Sequence, residues 1–369
     1  MTGMSPNRLI FFLLSFCCFS LSFAQEERNN AYIDVQYFQG TVMEHNVDIL
    51  HLITGYPNGV ILSWNKRTDG SEEWHELYNY PDFGVSFNYQ DLKNENLGEN
   101  YGLYAHYNFY FLKRSLMFRI GTGIGMSTNP YDRETNYRNN VYGSRFLSAT
   151  YMMLNYKKER IIDRWGINLG LSLIHYSNAN IKAPNTSTNS IVATIGANYD
   201  LDSEPMTYEE KGVSLKFTEP VRYNFVFRSG VNESDIVGSG QFPFYVGSFY
   251  ADKRINKKSA LQLGADVFFA DFLIEYNRHR AIAYPWENRT GQEDYRRVGL
   301  FAGHELFMGK LSLLTQFGYY VYYPIDYEDE IYHRVGIKRY FGEDFFAAVS
   351  LKTHWAKAEA LEFGIGYRL

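Results

Sequence analysis

Beyond residue 24 the chain contains no cysteine; Cys17 and Cys18 both fall within the first two dozen residues. No disulfide framework can staple the remainder, so its stability must come from hydrogen-bonded architecture. No run of 18 apolar residues follows residue 24, which excludes a helical membrane bundle, and the mean hydropathy of −0.34 agrees. Basic blocks are also missing. With a formal net charge of −5, nucleic acid is not an expected partner. His45, His51, His75, His106, His279, His304 and His333 show no metal-ligand spacing and read as structural or solvent-exposed. Phosphate loops and dinucleotide fingerprints are absent too, so neither metal nor cofactor is expected. The run Gly121-x-Gly123-x-Gly125 lies inside a strand, where glycines make room in a wall.

What the chain has is aromatic residues and alternation. Aromatics make up 18% of its 369 residues, with 32 Tyr and 28 Phe, a level usual for a barrel with aromatic girdles. Tyr101, Leu103, Ala105, Tyr107, Phe109 and Phe111 alternate with Gly102, His106 and Asn108. Leu116, Phe118, Ile120, Ile124 and Met126 alternate with Arg119 and the three glycines. Period-two stretches of this kind recur along the chain and give roughly sixteen strands. The last one runs to the final residue: Leu361, Phe363, Ile365, Tyr367 and Leu369 alternate with Glu362, Gly364, Gly366 and Arg368. A soluble β-sandwich does not explain that ending. It resembles the terminal strand read by the outer-membrane barrel-assembly machinery, which becomes an expected partner during biogenesis.

The expected fold is therefore all-β, a transmembrane antiparallel β-barrel of about sixteen strands in two eight-strand halves, 25–201 and 202–369. Residues 1–24 read as a signal peptide. Arg8 supplies the positive start, Leu9 to Phe23 the apolar stretch, and Ser22-Phe23-Ala24 the cleavage pattern before Gln25. Phe16 precedes Cys17 where a lipoprotein signal needs a small residue, which argues against lipidation. The halves look repeated: Gly102, Leu103, Ala105, Lys113, Ser115, Leu116 and Gly121 recur at constant offset as Gly299, Leu300, Ala302, Lys310, Ser312, Leu313 and Gly318. A single terminal assembly signal favours one large barrel, with two tandem eight-stranded barrels as the alternative. Short turns near 113–114, 308–309 and 342–343 belong to the periplasmic side, and the long connections near 127–143, 178–187 and 271–291 to the outside.

The stretch HYSNANIKAPNTSTN, 175–189, follows a strand whose apolar face is Trp165, Ile167, Leu169, Leu171 and Leu173. His175 and Ser177 continue that face, so they point outward. Asn189 shares the parity of Ile191, Ala193, Ile195, Ala197 and Tyr199 on the next strand and points the same way. Polar groups on a lipid-facing surface are costly and usually functional. An imidazole beside a serine hydroxyl can take its proton, and Asn178, Asn185 and the turn's N–H groups can stabilise a developing oxyanion. Pro184 stiffens the turn. His354 has the opposite parity and reads as lumen-facing.

His175-Tyr-Ser177-Asn178-Ala179, with Pro184-Asn185 and a polar residue at 189, resembles the active-site segment of the PagL-like lipid A 3-O-deacylases, over about residues 25–201. The resemblance implies an outer-membrane β-barrel esterase of a Gram-negative bacterium, acting on lipid A of lipopolysaccharide in the outer leaflet. It implies His175 as general base, Ser177 as nucleophile, and Asn178 and Asn185 at the oxyanion site. Where the family usually has a Glu that orients the His, this chain has Asn189. An amide can orient the ring but cannot stabilise imidazolium by charge, so the site is expected to be slow, to borrow an acid from another strand, or to be silent. A non-enzymatic pore or structural barrel and a phospholipase on the same scaffold are the other readings. The second half stands outside the resemblance.

Overall fold

The computed structural model describes residues 29–369, so the expected signal peptide lies outside the described residues. Strands β1 (Ala31–Val42), β2 (Asn58–Arg67), β3 (Asp82–Asp91), β4 (Glu99–Phe111), β5 (Leu116–Ser127), β6 (Phe146–Ile162), β7 (Trp165–Ser177) and β8 (Thr188–Asp200) form one closed antiparallel ring. A second ring holds β9 (Arg222–Asn232), β10 (Phe242–Arg254), β11 (Ser259–Ala270), β12 (Arg296–Met308), β13 (Leu311–Tyr322), β14 (Ile331–Phe341), β15 (Phe345–His354) and β16 (Lys357–Arg368). Two α-helices, α1 (Glu73–Leu77) and α2 (Phe272–Ala283), and two 3-10 turns, Val47–Leu52 and Pro285–Glu287, lie in the connections among the described residues. Among the described residues no helix is long and apolar enough to cross a membrane.

The all-β reading, the sixteen strands and the two eight-strand halves hold. The preference for one large barrel does not. Strand β8 pairs with β1, with Val35 opposite Ala197, and β16 pairs with β9, with Phe227 opposite Ile365. Each ring satisfies its own edge strands, so neither needs the other to remove an open edge. The linker 201–221 contains no strand and stays outside both sheets. The constant-offset repeat falls on equivalent places, because β4–β5 and β12–β13 are the fourth and fifth strands of their rings.

Parity sets inside from outside as expected. Leu103, Ile124, Leu171, Ile195, Leu263 and Ile365 are exposed on the outer walls, while Arg119, His106, Glu362 and Arg368 are buried inside. Buried charges are tolerable only when paired and hydrogen-bonded. Arg119 meets Asp34 at 2.8 Å, and Arg334 meets Asp266 at 2.9 Å and Glu362 at 2.6 Å. These side chains fill the interiors.

The rings touch at both ends. At the end where β1 begins, the inner end, the Tyr78 hydroxyl donates to the Phe307 carbonyl at 2.7 Å. Lys257 pairs there with Glu73 at 2.6 Å. At the opposite, outer end, the loop after β7 meets the loop after β9. Helix α2 lies in the outer connection between β11 and β12, which the sequence reads only as a long connection near 271–291; Phe272 and Tyr276 pack their rings on Tyr327.

Candidate active site

Strand β7 carries Tyr176 inward; His175 is partly exposed on the opposite face, and Ser177 shares that face's parity but is buried. In the ladder His175 lies opposite Thr150 on β6 and Asn189 on β8, and Ser177 lies opposite Ser148. The inward neighbours hold the strand ends in place. Asn88 donates to the Tyr176 hydroxyl at 3.0 Å, and Gln90 donates to the Ser190 hydroxyl at 2.9 Å. The Thr188 and Tyr142 hydroxyls bond each other. The outward residues therefore stand on a fixed and uncharged base.

Nδ1 of His175 lies 2.7 Å from Oδ1 of Asn189. An amide oxygen only accepts, so Nδ1–H donates, and in the neutral ring Nε2 keeps its lone pair. That is the tautomer a general base requires. Among the described residues the ring's hydrogen-bond partner is this amide and not a carboxylate.

Ser177 is nearly covered, at 4% exposure, and its Oγ accepts the Ala179 N–H at 3.4 Å. No direct hydrogen bond joins it to His175 among the described residues. The strand's i, i+2 spacing puts the two side chains on one face without bringing them into contact. Catalytic hydrogen bonds of this kind commonly tighten only when substrate binds.

Asn178 and Asn185 come together, with a division of labour that the sequence does not suggest. The Asn178 backbone N–H donates to Asn185 Oδ1 at 2.8 Å, and Asn178 Nδ2 donates to the carbonyls of Lys182 and Pro184. The Asn178 side chain is thus a staple across the loop. Asn185 accepts through its oxygen, which leaves Nδ2 as that amide's donor. Ala179 and Asn180 both take left-handed backbone angles, with φ of 53° and 62°. Such residues persist only where their surroundings hold them.

Three groups around the loop carry no chemical motif and escape a sequence reading. The ring of His45 bonds the Thr186 carbonyl at 3.0 Å. Gly143 donates to the Pro184 carbonyl at 2.7 Å and packs so close that a Cβ there would fall 2.5 Å from the Ala183 carbonyl. Glu233, from the second ring, is buried against the same segment. His354 points inward as expected, with Nε2 2.7 Å from Glu359.

Comparison with known proteins gives two family matches. Residues 58–198 match the model described as lipid A 3-O-deacylase (PagL), and residues 221–369 match the acyloxyacyl hydrolase C-terminal domain. Between them they take in most of the chain, including the half that the sequence motif left unassigned. No curated protein sequence matches. Among solved structures, a triple mutant of the Rhodopseudomonas blastica porin is 11% identical, covering 92% of this chain and 99% of that one, with a TM-score of 0.18. Another mutant of that porin gives 10% identity over the same shares, also at 0.18. At that score the backbones do not superpose as wholes, and the architecture rests on the strand pairing.

Proposed function

We propose that this chain, which belongs to the PagL family of lipid A deacylases and so points to an outer-membrane protein, cleaves a fatty acyl ester of lipid A by a serine–histidine mechanism. Ser177 Oγ attacks the ester carbonyl as His175 Nε2 takes its proton. The C–O bond to the sugar breaks, and the leaving sugar oxygen receives that proton. Water, deprotonated by the same imidazole, then releases the fatty acid and restores Ser177. The developing oxyanion is met by Asn185 Nδ2, while Asn178 holds the loop that presents it. Asn189 orients the ring without countering its charge.

The observation that carries this reading is the His175–Asn189 bond of 2.7 Å on the outward face, beside a serine on the same strand. Two further features support it. An outward site suits a lipid lying beside the barrel wall, and interiors filled by paired side chains argue against a pore. The test is lipid A mass spectrometry from cells carrying the wild type or Ser177→Ala at equal expression. Loss of one acyl chain only with the wild type is expected; identical acylation in both would overturn the proposal. Offering phospholipid to the purified protein separates a phospholipase from a lipid A deacylase.

A further inference from the structure

The loop after β7 is held by the other ring. Glu233 follows β9, is 2% exposed, and sends its carboxylate in two directions. Oε2 accepts the Ala183 N–H at 2.9 Å, across the gap between the rings, and Oε1 accepts the Gly240 N–H at 3.0 Å in its own loop. Its backbone is engaged as well. The Glu233 N–H donates to the Asn180 carbonyl at 3.1 Å, and Asn180 Nδ2 donates back to the Glu233 carbonyl at 3.0 Å. Gln241 Nε2 donates to the Ile181 carbonyl at 2.9 Å. Together these bonds bind Asn180, Ile181 and Ala183 of the first ring to one short loop of the second.

The position of these contacts matters for the chemistry. Ala183 lies between Lys182 and Pro184, whose carbonyls receive the Asn178 side chain. Asn178 in turn donates its N–H to Asn185. Asn180 is one of the two left-handed residues directly after Ser177 and Asn178. A buried carboxylate aimed at backbone N–H groups makes strong, short bonds and fixes its partners. The path from Glu233 to the oxyanion donor is therefore two or three hydrogen bonds long and contains no free rotor.

We propose that Glu233 is a positioning residue for ester cleavage in the first barrel, so that the second barrel completes an active site to which it contributes no reacting group. This rests on the serine–histidine reading above. It gives the second barrel a role in catalysis distinct from membrane anchoring. Where the expected family carboxylate is missing beside His175, this one serves the loop instead of the ring.

The test uses the full chain in mixed micelles with lipid A and follows fatty acid release. Two variants are compared with the wild type, Glu233→Ala and Glu233→Gln. Asp235→Asn, on the same loop, serves as a charge control. Misplacing a reacting geometry by about 1 Å can cost about 10²-fold in rate. Glu233→Ala is expected to lower kcat by about 10- to 100-fold with KM within about twofold, and to leave the folded form intact on unheated gels. Glu233→Gln, which keeps one carbonyl acceptor, is expected to recover part of that loss, and Asp235→Asn to behave as wild type. Backbone hydrogen exchange over 178–185 should rise in Glu233→Ala. Unchanged exchange there would overturn the positioning role, as would an unchanged kcat in a protein whose wild type is active. An inactive wild type, equal to Ser177→Ala, would instead remove the serine–histidine reading, while the exchange result would still decide whether Glu233 holds the loop.

Discussion

The two barrels share strand number, pairing and repeat register, yet their interiors differ most where the active site would be. At the outer end of the second ring, Arg297 grips Glu359 through both terminal nitrogens, and Lys352 and His354 reach the same carboxylate at 2.7 Å each. At the outer end of the first ring the interior is neutral: Asn88, Gln90, Asn100, Tyr142, Tyr176, Thr188 and Ser190 bond one another. Charge in the first ring sits deeper, at Arg119–Asp34 and Arg67–Asp200. A buried carboxylate about 7 Å from an imidazole would favour the imidazolium by about 2 kcal/mol at an effective dielectric near 20. The neutral outer interior beneath His175 supplies no such stabilisation, so charge support for the imidazolium would have to come from the outward face, where position 189 holds an amide. The seventh strand of each ring ends near a histidine. A single step of parity sends His175 outward to a face with Ser177, and His354 inward to an ion cluster.

The largest test of that comparison exchanges the two histidine environments for their losses. Ser177→Ala should reduce lipid A deacylation by 10³-fold or more, as removal of a nucleophile does. His354→Ala should leave turnover within about twofold and instead lower stability by about 1–3 kcal/mol, the scale of a lost hydrogen bond to a charge. Fatty acid release and urea unfolding in lipid vesicles measure the two effects. Equal losses of activity in both would dissolve the distinction.

Next in size is the interior itself. Arg334→Ala leaves Asp266 and Glu362 only the more distant Arg228, at 3.9 and 3.7 Å, as a cationic partner and should cost about 3–5 kcal/mol. Asn155→Ala in the first ring removes an amide that bonds Gln36 and Thr194, and should cost about 1–3 kcal/mol. Similar unfolding free energies for the pair would mean that the ionic and amide interiors are energetically alike. A third change sharpens the site. Asn189→Glu places a carboxylate against the His175 N–H and should raise kcat about 10-fold or more, since the reverse change in a serine triad costs about 10⁴. A neutral or lower rate, with the folded form retained, would mean that the ring's orientation by Asn189 already suffices.

Sequence parity carried far here because a barrel wall repeats one rule along every strand. Leu361 to Leu369 face as their alternation demands, and His175 and Asn189 are partly exposed on the parity their strands assign them, whereas Ser177, of the same parity, is covered where the strand enters its loop. The pairing of β8 with β1 is not written in that rule. An edge strand looks the same locally whether it closes on its own ring or continues into the next, so one ring and two rings read alike. Helix α2 was hidden for a different reason: among its residues only Phe272, Leu273 and Asn277 are buried, and their spacing makes no clear apolar stripe. The roles of Asn178 and Asn185 separate only when loop geometry is known. Glu233 lies far along the chain from Ala183, and nothing near it in sequence marks it.

The smallest effect concerns how the barrels are joined at the inner end, where α1 does the work that Glu233 does at the outer end. His75 of α1 is nearly buried, and its Nδ1 accepts the Gly70 N–H at 3.2 Å and the Glu72 N–H at 3.4 Å. A ring that accepts twice at Nδ1 is neutral. Burial holds its pKa below the ordinary histidine value, outweighing the opposite pull of Asp69 and Glu72. Because the folded pKa is depressed, stability from this contact is fully present above the ordinary value of about 6.5 and declines as pH falls below it. Protonation turns the acceptor into a donor facing two N–H donors, with the Asp69 carboxylate 3.4 Å away as its one acceptor, and loosens α1, with Glu73–Lys257 and Tyr78–Phe307 behind it. His75→Asn keeps an acceptor and removes the titration. Between pH 7 and pH 5 the wild type should lose about 1–2 °C of thermal midpoint relative to that variant. The outer contact is the internal control: hydrogen exchange over 178–185 should not change across the same interval in either protein. A parallel change at both ends would mean that the barrels separate as one cooperative step, and that the inner and outer contacts are a single joint.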